Sequence, residues 1–195
     1  MHSLFDPVIV LAAQVLLALV FIAAGIGKMR DWGQFLGLVQ NYRVLPRYAV
    51  PAVAYALPPA ECAIGAGLLM AQTRTPSALL AAVLLSIFAV TIAVNVLRGR
   101  TEIDCGCFRT SLKQRLSWWL VMRNLVLIAL TLVIVVAADP PAAARATVWV
   151  DSVSGVVAGS VLFGLYAAAN LLGTLPASSS KASAAHHAQP EQGHA

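Results

Sequence analysis

The chain has 195 residues and a net charge of +5, with 59% apolar residues and only 11% charged ones. Soluble domains carry about 25% charged residues, so this composition excludes a water-soluble globule and suits lipid-facing helices packed through small side chains. The basic excess lies between long apolar runs, which reads as membrane topology; no nucleic-acid partner is expected.

A membrane-crossing helix needs about 20 mainly apolar residues. Five runs meet that length or come close to it. The first, Val8 to Gly27, has Gln14 as its only strongly polar residue. Met1 to Pro7 contains no Lys or Arg, so the basic start of a cleaved signal is missing and the run reads as a retained helix. Asp31 to Pro46 follows as an amphipathic stretch, with Trp32, Phe35, Leu36 and Val39 at helical spacing. It reads as a short interfacial helix anchored by Trp32 and Tyr42, or equally as an ordinary connecting helix. The second run, Pro51 to Ala71, contains Pro58, Pro59 and Glu61. The third, Ser77 to Leu97, carries Asn95 near its end. The fourth, Trp118 to Ala138, carries Arg123 and Asn124 about one turn in. The fifth, from about Val148 to Leu172, has Asp151 at its start.

Backbone groups in lipid must bond internally, so five such runs predict an all-α fold: a polytopic membrane bundle of about five transmembrane helices and one short interfacial helix. The helical domain is expected over residues 1–173. The tail, 174–195, is rich in Ala, Ser and His and is expected to be disordered. His186, His187 and His194 there lack further ligands, and no metal site is assigned to them.

Loops placed alternately on two sides divide the basic residues unevenly. One side receives Lys28, Arg30, Arg43, Arg47, Arg98, Arg100, Arg109, Lys113, Arg115, Lys181 and, just inside the membrane, Arg123; the other receives only Arg74 and Arg145, which makes eleven against two. The positive-inside rule then puts the first side in the cytoplasm, the N-terminus in the periplasm and the C-terminus in the cytoplasm.

The strongest local signal is Asp104-Cys105-Gly106-Cys107-Phe108, which that count places at the cytoplasmic face. Thiols one residue apart can close a small strained disulfide ring, and Gly106 permits the backbone this requires. Strain eases reduction, so the pair suits thiol exchange better than stapling. Arg98, Arg100 and Arg109 favour a thiolate there and Asp104 opposes it. Zinc is the competing use, but two cysteines supply half a structural site, and a purely structural role is the third reading. Cys62, inside the second run, reads most simply as a small buried hydrophobe.

A second signal is polarity inside the membrane. A charged Glu61 in mid-helix costs at least ~2.5 kcal/mol, so it is neutral, paired or facing a cavity. Lys28, Asn95, Arg123 and Asn124 lie toward the same side as the Cys-Gly-Cys segment. A polar cluster is expected beneath that segment, with Glu61 its deepest member. The plainer reading is glue: inter-helix hydrogen bonds worth about 0.6 kcal/mol each. Pro58 and Pro59 remove backbone donors just before Glu61 and are expected to kink the helix beside a small cavity.

Several motifs in order carry a resemblance to a known family: Ala23-Ala24-Gly25-Ile26-Gly27-Lys28, Tyr42-Arg43-Val44-Leu45-Pro46, Leu57-Pro58-Pro59-Ala60-Glu61, Gly65-Ala66-Gly67, Arg98-Gly99-Arg100, Asp104 to Phe108, Arg123-Asn124 and Tyr166-Ala167-Ala168-Ala169-Asn170. Over about residues 8 to 172 the chain resembles the methylamine utilisation protein MauE family and, more distantly, DoxX-like membrane proteins. Arg109 stands where the family pattern usually has Gly. The resemblance implies a bacterial inner-membrane protein for processing, transport or maturation of the methylamine dehydrogenase β-subunit, a disulfide-rich periplasmic client. It also implies a thioredoxin-like partner and a thiol–disulfide role for Cys105 and Cys107.

A quinone is compatible as electron partner of a membrane thiol oxidoreductase, although no residue demands one. A donor of disulfides to a periplasmic client should face the periplasm, whereas the charge count puts the motif on the other side. The two are reconciled if the charge bias misleads here, if the motif folds back into the membrane, or if reducing equivalents pass outward with Cys62 midway. The alternatives to thiol chemistry are a small transporter or assembly scaffold using Glu61, and a structural subunit of a larger respiratory complex.

Overall fold

The computed structural model describes residues 6–42, 44–99, 117–137 and 149–172. The Cys-Gly-Cys segment and the His-bearing tail lie outside the described residues. Six helices run in order: α1 (Pro7–Arg30), α2 (Trp32–Tyr42), α3 (Ala49–Leu69), α4 (Arg74–Leu97), α5 (Trp118–Val136) and α6 (Trp149–Leu172). Five of them, all but α2, are long and apolar enough to cross a membrane. Among the described residues there is no strand. The protein is a multi-pass α-helical membrane protein.

Local chemistry sets the ends of α1. Asp6 accepts a hydrogen bond from the backbone N–H of Val8 at 3.0 Å and Pro7 occupies the first turn, where its missing N–H is no loss. Lys28 and Arg30 fall in the last turn, where the negative end of the helix dipole favours cations. At the end of α4 the chain turns through Gly99, whose φ of 70° lies in the left-handed region that glycine adopts without a Cβ penalty.

α1 is the axis of the bundle, and Leu17 and Ala18 at its middle have no exposed surface. Glycines let its neighbours come close. A Cβ on Gly25 of α1 would stand 2.7 Å from the Pro58 carbonyl oxygen of α3, and one on Gly65 of α3 would stand 2.9 Å from the Ala18 carbonyl oxygen. On the other flank, a Cβ on Gly159 of α6 would meet the Ala12 carbonyl oxygen at 2.7 Å. Association in lipid rests on such close packing rather than on hydrophobic exclusion. Gln14, in the first half of α1, donates to the Leu68 carbonyl oxygen at 3.1 Å, so the buried amide is satisfied by a neighbouring helix.

α6 turns Val153, Val157, Val161 and Leu165 outward, as a lipid-facing surface requires. α2 lies against α3: its Phe35 is buried, and the Trp32 ring is 4.3 Å from that of Tyr55. α1 and α6 run parallel, and α3 and α5 run against them. The C-terminal ends of α1, α4 and α6 therefore share one end of the bundle with the N-terminal ends of α3 and α5. Tyr42 and Val96 pack there against Ile92, Leu120 and Val121. Gly99 and Ser117, the described residues that bracket the Cys-Gly-Cys segment, stand at this same end.

Candidate functional site: a buried ion pair at the basic end

The sequence expectation of a polar cluster around Glu61 has a definite geometry. Lys28 Nζ lies 2.5 Å from Glu61 Oε1 and 2.6 Å from Oε2, and both residues are buried, at 6% and 1% exposure. α1 delivers the lysine from its last turn, and α3 delivers the carboxylate from its middle. Gly25, one turn before Lys28, allows the two backbones to close to this distance. The ammonium also faces two rings, 5.7 Å from the centroid of Phe35 and 5.4 Å from that of Phe88, close enough for cation–π attraction. Pairing answers the cost of an isolated intramembrane charge.

A second polar group packs beside the first. Arg123 Nη1 of α5 donates to Asn170 Oδ1 of α6 at 2.6 Å, and its guanidinium lies 5.7 Å from the centroid of the Tyr166 ring. Asn170 in turn donates to the Tyr166 carbonyl oxygen at 2.6 Å. Lys28, Glu61, Arg123, Asn124 and Tyr166 line one small cavity of about 30 Å³, large enough for a water (about 10–15 Å³). The basic end thus holds two intramembrane cations, one carboxylate and three amides within a few helical turns. This arrangement can hold and relay a proton in a site from which lipid excludes bulk water.

The structure brings Lys28, Glu61, Arg123 and Asn124 together. Asn95 is fully buried, but its amide donates to Thr91 of its own helix at 2.9 Å, and among the described residues its Oδ1 has no hydrogen-bond partner. Asn124 likewise donates to its own helix, at Leu120. Asp104, Cys105 and Cys107 lie outside the described residues. Cys62 is half-buried rather than fully buried, and its Sγ faces the glycine gap at Gly25. Sequence reading did not single out Asn170 as the partner of Arg123. Its signal was the Tyr166–Asn170 spacing, which puts both residues on one face of α6 one turn apart.

The family described as methylamine utilisation protein MauE matches residues 6–137, which span α1 through α5. The chain belongs to the MauE family. Curated members include methylamine utilization protein MauE of Paracoccus denitrificans, 47% identical over 174 residues that cover 89% of this chain and 92% of that protein. The protein of the same name from Paracoccus versutus is 49% identical over 172 residues, covering 88% and 91%. That of Methylophilus methylotrophus is 39% identical over 179 residues, covering 90% and 92%. No solved structure matches. In this MauE-family chain the Lys28–Glu61 pair, Asn95, Arg123 and Asn124 all fall within the matched region, and Asn170 lies beyond it.

Proposed function

We propose that this protein is a bacterial inner-membrane factor in methylamine utilisation that serves the processing, transport or maturation of a periplasmic client, the β-subunit of methylamine dehydrogenase. It works by thiol–disulfide exchange at Cys105 and Cys107, with a thioredoxin-like protein as redox partner. The observation that carries this reading is the buried Lys28–Glu61 pair, 2.5 Å apart, at the end of the bundle where Gly99 and Ser117 bracket the Cys-Gly-Cys segment. An ion pair in lipid is an expensive way to hold two helices together, and at that end it also supplies charge and protons to chemistry at the membrane surface. Family membership supports the methylamine context.

In this reading Cys105 and Cys107 exchange with the partner thiols. Lys28 and Arg123 favour a thiolate electrostatically, and Glu61 holds Lys28 in place. The rival reading is a small transporter or assembly scaffold in which Glu61 handles the cargo. It rests on the same buried carboxylate and has no use for the thiols.

The test is made in a methylamine-grown host whose own copy is replaced by this chain. Cells are acid-quenched, and the thiols are counted by mass-tag labelling before and after reduction. The expected result is a mixture of oxidised and reduced Cys105–Cys107 that shifts when the thioredoxin-like partner is deleted, together with loss of growth on methylamine in Cys105→Ser and Cys107→Ser. Undiminished growth of the double serine variant would overturn thiol exchange in favour of the transporter or scaffold.

A further inference from the structure

A larger cavity of about 330 Å³ lies between α2, α3 and α4 and shares Lys28 and Phe88 with the small polar one. Phe35, Val39, Leu57 and Phe88 are among the apolar residues of its wall, Tyr42 and Thr91 add hydroxyls, and among the described residues Lys28 is the only charged one lining it. Its rim includes Val44, Leu45 and Ile87, which are exposed and, in a bilayer, face lipid. Binding sites for small molecules have this character: a few hundred cubic ångströms, mostly apolar, with a few fixed polar groups.

From these features we infer that the cavity binds a neutral, flat, carbonyl-bearing ring on an apolar tail, the chemistry of a membrane quinone. Three features select that class. An ammonium has three N–H donors, and Glu61 accepts two, one on each oxygen, so Lys28, which lines this cavity, keeps one donor for an acceptor. Lys28 is already paired with Glu61, so a fatty acid carboxylate would have to give up its water to enter a mostly apolar cavity, whereas a carbonyl carries no charge to desolvate. Phe35, Phe88 and Tyr42 supply ring faces and edges, which match a planar head better than an acyl chain. The tail would leave past Ile87 into the bilayer. This inference goes beyond the proposed thiol exchange and stands without it.

The experiment uses the full chain in nanodiscs of phosphatidylcholine. A photoreactive azidobenzoquinone with a short alkyl tail is titrated in, competed with unlabelled decylubiquinone, and the labelled peptides are mapped by mass spectrometry. One saturable site per chain is expected, with label confined to α2, α3 and α4. Leu57→Trp, which fills the cavity, should weaken labelling at least tenfold. Ile87→Trp, at the lipid-exposed rim and undemanding to fold, should do the same. Val126→Trp, exposed on α5, should leave labelling unchanged. The Cys105→Ser/Cys107→Ser variant should bind as the native chain does, so a failure of thiol exchange and a failure of this inference read differently. Label that does not saturate or spreads with lipid exposure would overturn the proposal. So would label indifferent to both cavity variants, or competed as well by oleic acid as by the quinone.

Discussion

At the scale of single residues, the decisive contact is between Lys28 and Glu61. Removing one partner of a buried pair leaves the other charge uncompensated, and such losses run to about 3 kcal/mol or more. Glu61→Gln is therefore expected to lower the thermal stability of the detergent-solubilised protein markedly, as read by a melting curve. Replacing both residues with apolar ones of similar volume removes the pair without stranding a charge, and such replacements are often neutral for stability. Lys28→Met/Glu61→Met should therefore melt at or above the native temperature. The same double variant separates glue from chemistry. If the pair serves the proposed function, growth on methylamine is lost at normal protein level; if it only joins α1 to α3, growth survives. Hydropathy pointed to Glu61 as costly, and position put Lys28 near it. The pairing itself depends on the register of α1 against α3, which no local pattern encodes. The hydrogen bond between Arg123 and Asn170, 47 positions apart in sequence, escaped for the same reason.

At the scale of helices, the elements were legible because lipid makes them so: every backbone group must be satisfied within the segment, so long apolar runs have one solution. The expected span Val8 to Gly27 became Pro7–Arg30, and Pro51 to Ala71 became Ala49–Leu69. The amphipathic stretch after Asp31 ended at Tyr42, short of Pro46. Less legible was how closely the helices approach, which glycine positions decide. Gly25→Ala would put a methyl group 2.7 Å from a backbone oxygen of α3 and 2.6 Å from Cys62 Sγ. The backbone cannot yield locally, so α1 and α3 must part, at a cost of about 1–3 kcal/mol. Gly27→Ala, with nothing within 4 Å of the new atom, should change stability by less than ~0.5 kcal/mol. The α1–α6 seam offers the same comparison: Gly159→Ala should lower the melting temperature, and Gly164→Ala, which also meets nothing, should not. Equal melting temperatures within each pair would show that these glycines do not set the helix spacing. The cavity beside Pro58 and Pro59 was expected from the freed carbonyls. A small cavity does border Glu61, and a larger one, lined by residues of α2, α3 and α4, lies where α2 packs along α3.

At the scale of the whole molecule, the bundle sorts its charges by end. Lys28, Arg30, Arg47, Arg98 and Arg123 gather at the end where α1 and α4 finish. At the other end the described residues contribute Arg74 as a cation, with Asp6 beginning α1 and Asp151 in the first turn of α6. Cytoplasmic loops carry the excess of Lys and Arg, so the basic end is expected in the cytoplasm and the Asp6 end in the periplasm. Single reporter cysteines in an otherwise cysteine-free chain decide this. Met70→Cys, on the turn between α3 and α4, should react with a membrane-impermeant maleimide in intact cells. Arg98→Cys, just past α4, should react only after lysis. That pattern would place the segment between α4 and α5 in the cytoplasm, and reducing equivalents would then have to cross the bundle to reach a periplasmic client. Half-buried Cys62, beside the α1–α3 contact, would be the one thiol of the described bundle within the membrane on that route, and Cys62→Ser should then slow growth on methylamine. The reverse pattern would put Cys105 and Cys107 directly before the client, and Cys62→Ser should then leave growth unchanged.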